Sequence, residues 1–190
     1  MYKNLAAALA AACFSFPAFS QSTAPIKAAF VYVAPLTDAG WVRQHDQGRL
    51  AVEAALPGQV KTTYVENVAE GPDAERVIRQ MVADGKVGTE FVTVESEHSA
   101  MSAVIGSAAG GARTMTATSS QGFALMWEVL FVAASYRLPV VMTTVNRALS
   151  GPINIHCDHS DTMGGRDTGW LQLYGENHQE AYDNCIQAIR

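Results

Sequence analysis

The chain has 190 residues, a hydrophobic fraction of 48% and 15 glycines, a composition typical of a globular α/β protein with one ordinary core. Its formal net charge is −5 and no stretch concentrates lysine and arginine, which argues against nucleic acid or an anionic membrane as a partner. Of the three cysteines, Cys13 lies in a predicted leader that is removed, and the remaining Cys157 and Cys185 are too few for a disulfide framework or a thiolate zinc site.

The first 20 residues have the pattern of a secretory signal peptide. Lys3 precedes the apolar run Leu5–Phe16, which is too short to span a bilayer. Ala18 and Ser20 are small residues at the two positions that a signal peptidase reads. The pattern predicts an exported, periplasmic protein, and the alternative interpretation is a buried N-terminal helix.

Residues 21–85 alternate between strand and helix patterns after a short polar linker. Continuous apolar and β-branched runs predict strands at Ile26–Ala34 and Val60–Val65. Helical spacing of apolar residues predicts helices at Trp41–Leu56 and from Pro72 to Gly85. The order is therefore β-α-β-α.

The same alternation continues to the C-terminus. The patterns predict strands at Phe91–Val94, Arg113–Thr118, Leu138–Val145 and Gly169–Tyr174, and helices at Glu97–Ala109, Gln121–Tyr136 and Gln179–Ile189. A long loop at residues 146–167 holds most of the polar clusters, and loops of that length are usually functional. The alternation predicts an α/β fold with a mainly parallel sheet and helices on both faces.

Polar side chains follow two neighbouring predicted strands. Glu95 to His98 follow the first strand, and Ser119 to Gln121 follow the second. The carboxyl ends of parallel strands meet beside helix N-termini, where such sheets bind ligands. The plainer interpretation is that Glu97 only stabilises the first turn of a helix and that Ser119 to Gln121 form an N-cap.

The pattern D-x-G-W-x-x-x-H-D-x-G-R lies within Phe30–Gly85, and this segment resembles the start of the BMP (basic membrane protein) family of ABC transporter substrate-binding proteins. The resemblance implies a purine nucleoside-like ligand, with Asp38 as a hydrogen-bonding residue, Trp41 as a stacking residue and a transporter permease as partner. Trp41 is equally compatible with plain core. His45, Asp46 and Arg49 are expected on a solvated helix face with i,i+4 pairs.

The motifs ESEHSA, TATSSQG, VNRALSxPINIHCDHSD and RDTGW lie between Phe91 and Arg190. This segment resembles the alpha subunit of pyruvate:ferredoxin (2-oxoacid:ferredoxin) oxidoreductase, in the thiamine diphosphate pyrimidine-binding domain. The resemblance implies oxidative decarboxylation of a 2-oxoacid, with the diphosphate and Mg²⁺ held by a partner subunit and iron-sulfur clusters only in partner subunits. Beta and ferredoxin-type subunits and a dimer of the alpha segment are the implied partners.

The resemblance assigns roles to two residues. Glu97, in the ESEHSA motif, would be the catalytic and cofactor-binding residue, because a carboxyl group bonded to N1′ of the pyrimidine stabilises the imino tautomer that removes the C2 proton. We expect Glu97 at the end of a buried strand, facing a dry cleft. Arg147 matches the arginine that faces the oxoacid, whose carboxylate a guanidinium can bind through two hydrogen bonds. The alternative for Arg147 is a surface ion pair.

A cluster of potential ligands follows Arg147 in the long loop, at His156, Cys157, Asp158, His159 and Asp161. Its spacing matches no closed zinc or iron site, so we expect no metal. The resemblance instead makes the cluster part of the substrate-side loop and of a subunit contact.

Together the two resemblances describe a chimera with a signal peptide at 1–20, a BMP-like segment at 21–85 and an oxidoreductase segment at 86–190. One continuous sheet is expected to join 60–85 to the last segment. The favoured function is a truncated oxidoreductase alpha-type domain that contributes the aminopyrimidine half-site and cannot complete the reaction alone. The alternatives are a periplasmic binding protein or a non-functional fusion product. Such an oxidoreductase is expected in the cytoplasm, whereas the leader predicts export.

Overall fold

A computed structural model of the chain describes residues 24–149 and 154–190. The chain divides into two compact units, Met1–Phe91 and Val92–Arg190. In the described residues each unit has its own two-stranded sheet, so the expectation of one continuous sheet is wrong. The signal peptide predicted at 1–20 lies outside the described residues. None of the described helices has the length and hydrophobicity that a membrane span requires.

The first unit is a β-α-β-α segment, as the sequence predicts. Its elements are β1 (Ile26–Val31), α1 (Trp41–Ala55), β2 (Val60–Val65) and α2 (Pro72–Ala83). The two strands are parallel, with Ile26 opposite Val60 and Val31 opposite Val65. Tyr32, Val42, Val68 and Met81 are its buried apolar side chains.

A buried ion pair joins α1 to β2. Arg49 Nε donates to Asp46 Oδ1 at 2.7 Å, and these residues are only 8% and 3% exposed. Arg49 also donates to Thr62 Oγ1 at 2.9 Å and lies 4.8 Å from the centre of the Tyr64 ring. The pKa of Arg49 is raised, chiefly by its hydrogen bond to Asp46. The solvated helix face expected for these two residues is therefore wrong.

In its described residues the second unit contains four helices, a 3₁₀ turn and two strands. These are α3 (Glu97–Ala109), β3 (Thr114–Thr118), α4 (Ser120–Ser135), β4 (Val140–Thr144), α5 (Ser160–Gly164), the 3₁₀ turn Arg166–Thr168 and α6 (His178–Ile189). The strands are parallel, with Thr114 opposite Val140.

Helix α4 forms the centre of this unit because its apolar residues cover most of its circumference. The buried core consists of Met101, Phe123, Met126, Val129, Leu130 and Ala133. Trp170 packs against this cluster and donates its indole N–H to the backbone oxygen of Leu130 at 2.9 Å. The core therefore fixes where α4 begins, next to the end of β3.

Two predicted strands are wrong. Phe91–Val94 and Gly169–Tyr174 have no strand structure. Leu171 and Leu173 are 95% and 54% exposed, so the described residues do not cover the apolar side chains of the second segment. By contrast, the predicted bounds of β2 and α3 are confirmed.

Candidate functional site

The turn from β3 into α4 has a constrained backbone. Ser119 is the extended N-cap residue, as predicted, but its side chain makes no capping hydrogen bond. The next residue, Ser120, is fully buried and has φ of +50°, a conformation that residues other than glycine adopt only when their surroundings impose it. The Oγ atom of Ser120 lies 2.6 Å from the backbone oxygen of Ala148 and 2.6 Å from Oε1 of Gln121.

Asp161 supplies the acceptor that this turn needs. The carboxylate accepts the backbone N–H of Ser120 at 3.0 Å, of Arg147 at 3.1 Å and of Thr162 at 2.8 Å. It also accepts from Asn146 Nδ2 at 2.7 Å, and the residue is 1% exposed. The carboxylate therefore occupies the N-terminus of α4, the positive end of that helix dipole.

These four donors keep Asp161 ionised despite its burial. Burial raises the pKa of a carboxyl group, and it is the largest influence on Asp161. The hydrogen bonds from Asn146 and from the backbone N–H groups of Ser120, Arg147 and Thr162 outweigh burial and leave the pKa below its usual range. At neutral pH the ionised carboxylate of Asp161 can therefore only accept hydrogen bonds, and the four groups that face it are all donors.

Arg147 lies beside this turn and is half-buried. Its Nη2 donates to Oε1 of Gln121 at 3.2 Å, while its backbone N–H is held by Asp161. Its Nε is buried and has no hydrogen-bond partner among the described residues. No carboxylate among the described residues forms an ion pair with Arg147. The surface ion pair considered as an alternative is therefore not observed in these residues.

Glu97 reaches the same turn from α3. It is the first residue of α3, and its side chain covers Gly122: a Cβ atom added there would lie 3.0 Å from Glu97 Oε1 and 2.5 Å from Thr118 Oγ1. Only glycine at position 122 therefore permits this position of the glutamate. Glu97 and Arg147 both contact the first turn of α4, at Gly122 and Gln121.

The environment predicted for Glu97 is wrong, although its place beside the turn is as expected. Residues 91–96 are irregular, so no buried strand leads into Glu97, and its side chain is exposed in this chain. Within the described residues its carboxylate makes neither an ion pair nor a hydrogen bond to the protein. The group is therefore available to a ligand.

The other polar residues of the predicted rim bond to neighbouring helical residues. Glu95 accepts the hydroxyl of Ser99 at 3.1 Å. His98 Nε2 lies 3.6 Å from Glu128 Oε2 on α4. Glu95 and His98 therefore each have a partner within the second unit, whereas the Glu97 carboxylate has none among the described residues.

The ligand cluster that follows Arg147 does not converge. Asp158 accepts the backbone N–H of Ser160 at 2.7 Å, the His159 ring lies 5.3 Å from the Tyr174 ring, and Cys157 is exposed. No group of three potential metal ligands is found in residues 24–149 and 154–190. Asp161 alone turns inward, and the sequence pattern gave no indication of that.

The two candidates of the transporter resemblance lie on the surface of the first unit. Asp38 is exposed, and Trp41 is 67% exposed with its ring 3.9 Å from the ring of His45. Trp41 is therefore not core. Its indole is accessible to a ligand.

Comparison with known proteins identifies the chain's relatives. Residues 72–190 match the family described as "Pyruvate flavodoxin/ferredoxin oxidoreductase, thiamine diP-bdg". The chain is 60% and 54% identical over 139 residues to pyruvate synthase subunit PorA of Thermotoga maritima and Methanocaldococcus jannaschii, covering 73% of this chain and 33% of each relative. It is 46% identical over 142 residues to ketoisovalerate oxidoreductase subunit VorA of Pyrococcus furiosus, covering 75% of this chain and 34% of the relative. The chain thus spans about one third of the length of the curated relatives it matches.

These matches bear on the predicted chimera. The family match begins at residue 72, so it includes α2 and starts before residue 86, where the oxidoreductase segment was predicted to begin. A match of 139 residues in a chain of 190 also necessarily includes residues 60–85. The resemblance of residues 1–85 to the BMP family receives no support. The chain belongs to the pyruvate flavodoxin/ferredoxin oxidoreductase family, in its thiamine diphosphate-binding part.

Proposed function

We propose that this chain is an alpha-type domain of a 2-oxoacid:ferredoxin oxidoreductase and contributes one half of the site for oxidative decarboxylation. The observation that carries the proposal is the meeting of Glu97 and Arg147 at the first turn of α4. One side chain offers an exposed carboxylate and the other a half-buried guanidinium. A heteroaromatic cofactor and an anionic substrate need this pair of groups.

The residues fit thiamine diphosphate on the aminopyrimidine side. When bound, that cofactor supplies the carbon nucleophile and electron sink for 2-oxoacid decarboxylation. Glu97 would hold N1′ of the pyrimidine, and its carboxyl proton would lie on that hydrogen bond. Its exposure in the single chain is consistent with a site that a second subunit completes and closes to water.

Arg147 would bind the carboxylate of the oxoacid. A guanidinium has five N–H donors and binds a carboxylate through two parallel N–H groups. Gln121 holds the guanidinium through one donor of Nη2, at 3.2 Å. The arginine would therefore orient the substrate rather than take a proton, since a guanidinium offers only donors.

The remaining parts of the reaction are assigned to partners. In the described residues two free cysteines, Cys157 and Cys185, are too few to hold a four-cysteine iron-sulfur cluster. We propose that a beta subunit holds the diphosphate and Mg²⁺, that ferredoxin-type subunits carry the clusters, and that the alpha segment dimerises. Pyruvate is the proposed oxoacid because the PorA relatives, named for pyruvate synthase, are more similar than the VorA relative, named for ketoisovalerate oxidoreductase.

The decisive test is activity of the assembled enzyme. The chain is co-expressed with beta and ferredoxin-type subunits, and pyruvate-dependent reduction of a viologen dye is measured with and without thiamine diphosphate. Glu97→Gln should lower kcat by about 100-fold or more, the scale of a lost proton-transfer group. Glu95→Gln is the matched control, because that acid lies on the same rim and bonds only to Ser99. Equal activity of the wild type and Glu97→Gln would contradict the proposal.

A second measurement tests the substrate-binding role. Arg147→Met should raise KM for pyruvate more than it lowers kcat, whereas Arg113→Met, at an exposed position, should change neither. Replacing pyruvate with 3-methyl-2-oxobutanoate then tests the assignment of the oxoacid. A higher kcat/KM for the branched substrate would reverse that assignment.

The location of the protein is a separate proposal. We propose that the enzyme acts in the cytoplasm, where a thiamine and iron-sulfur enzyme of this family is expected, although residues 1–20 have the pattern of an export signal. N-terminal sequencing of the native protein after cell fractionation tests this. A periplasmic protein that begins at Gln21 would establish export instead.

A further inference from the structure

Asp161 has no part in the chemistry proposed above, yet it is among the most buried polar groups of the second unit. At 1% exposure its carboxylate cannot touch a substrate. An ionised group at such a position is costly unless it is fully hydrogen-bonded, and Asp161 accepts four hydrogen bonds. Its role must therefore be exerted through the groups that it holds.

Those groups come from separate parts of the chain. Ser120 begins α4, Asn146 and Arg147 follow β4, and Thr162 belongs to α5. The hydrogen bond to Ser120 spans 41 positions of the sequence. One carboxylate thus ties the backbone of Arg147 to the start of the helix that Glu97 contacts.

A second contact fixes the side chain of the same arginine. Nη2 of Arg147 donates to Oε1 of Gln121. Because a guanidinium has no acceptor, the glutamine must face it with its amide oxygen. Asp161 therefore holds the backbone of Arg147 and Gln121 holds its guanidinium, both at one turn of α4. This leaves Nε as the buried donor without a partner in the described residues.

We infer that Asp161 is a positioning residue for Arg147 and, with Gln121, sets the separation between the oxoacid-binding guanidinium and the carboxylate of Glu97. This inference rests on the proposed function of Arg147. It predicts that loss of the Asp161 charge weakens substrate binding through Arg147 and leaves the carboxylate of Glu97 in place.

The test is a double-mutant cycle in the assembled enzyme. Asp161→Asn should raise KM for pyruvate by about tenfold and lower kcat much less, because an amide cannot accept from four donors. In an Arg147→Met background the same change should have little further effect on KM, since the arginine through which it acts is absent. Asp158→Asn is the control, as Asp158 lies on the same loop and bonds only to Ser160 in the described residues. An Asp161→Asn effect that is undiminished without Arg147 would overturn the inference.

Gln121→Met keeps the inference testable if Asp161→Asn fails to fold. Methionine preserves side-chain length and helix propensity but removes the acceptor for Nη2, so KM should rise and the melting temperature should hold. Unchanged KM would count against the role of Gln121.

A readout without activity separates this inference from the proposed function. In the ¹⁵N-labelled chain, the Nε–H resonance of Arg147 should exchange slowly with solvent, and Asp161→Asn should accelerate that exchange, whereas Asp158→Asn should not. If the wild-type enzyme reduces no dye but this difference appears, the proposed function fails and the positioning role stands. If the enzyme is active and the exchange rates are equal, the positioning role fails.

Discussion

The two units of the chain each bury an aspartate, and they stabilise it by different means. Asp46 in the first unit pairs with Arg49, three residues away on the same helix. Asp161 in the second unit has four neutral donors, the farthest 41 residues away in sequence. The charge of Asp46 is balanced by a cation on its own helix, whereas the charge of Asp161 is solvated by backbone groups of separate segments and so determines where those segments meet.

The difference also concerns what each carboxylate gains from its partners. An ion pair taken from water loses about as much solvation as it gains in attraction, so its presence is weak evidence for stability. Neutral N–H donors replace the water that Asp161 has lost without bringing a second charge into the interior. The first arrangement is therefore replaceable by apolar residues, and the second is not.

Arg49→Met should have the largest effect on stability, because it leaves Asp46 buried without its cation. The expected loss is about 3–5 kcal/mol in the free energy of unfolding of the first unit. Amide hydrogen exchange in β1 and β2 measures this unit separately from the second. The double variant Asp46→Leu/Arg49→Met should recover most of the loss.

The matched control for this prediction is Arg76→Met. Arg76 and Asp73 form an i,i+3 pair 3.5 Å apart, as Arg49 and Asp46 do, but their side chains are 71% and 59% exposed. Its removal should have little measurable effect, as is usual for exposed pairs. If both single variants lose the same free energy, burial does not distinguish the two pairs.

Asp161→Asn should cost roughly 1–3 kcal/mol of unfolding free energy in the second unit, the scale of hydrogen bonds lost by a charged acceptor. Because the folded pKa of Asp161 is below its unfolded value of about 3.9, its stabilisation is present above that pH and is lost as the pH falls through the folded pKa. The wild type should therefore lose more stability between neutral pH and pH ~3 than the variant. Amide exchange in α4, measured at several pH values, provides the comparison. Parallel pH profiles would contradict it.

Gly165→Ala should destabilise the second unit by about 1–3 kcal/mol through overpacking. An added Cβ would lie 2.5 Å from Cζ of Phe123, a core residue of α4 with little room to move. At the adjacent Gly164 an added Cβ meets nothing within 4 Å, so Gly164→Ala should be nearly neutral. Chemical denaturation of the two variants tests how tightly α5 and the following turn pack on α4.

The sequence predicts elements well where the pattern is complete within the segment. β2 and α3 have their predicted bounds because each is a continuous run between turn residues. Phe91–Val94 and Gly169–Tyr174 fail because a strand requires a hydrogen-bonded neighbour, and alternation in one segment does not reveal the neighbour. The same reason explains why the strands form two sheets rather than one.

The candidate site was predictable in part. The family motifs singled out Glu97 and Arg147, and the rule that ligands bind at the carboxyl ends of strands grouped Glu97 with Ser119 to Gln121. The role of Asp161 was not predictable, because its donors lie up to 41 residues away and the polar residues near it in sequence gave no sign of which one is buried. Only the folded chain shows that this acid points inward and that Asp158 does not.

Gly122→Ala should have the smallest effect on stability and a clear effect on activity. Alanine favours the helix by about 1 kcal/mol, but its Cβ would lie 2.5 Å from Thr118 Oγ1 and 3.0 Å from Glu97 Oε1, so both side chains must move. The two effects on stability oppose each other, while the shift of Glu97 should lower kcat by about tenfold or more, as misplaced catalytic groups do. Gly106→Ala in α3, where an added Cβ meets nothing within 4 Å, should gain stability and keep full activity. If Gly122→Ala is as active as Gly106→Ala, the first turn of α4 does not fix the position of the Glu97 carboxylate. A partner subunit would then have to position it.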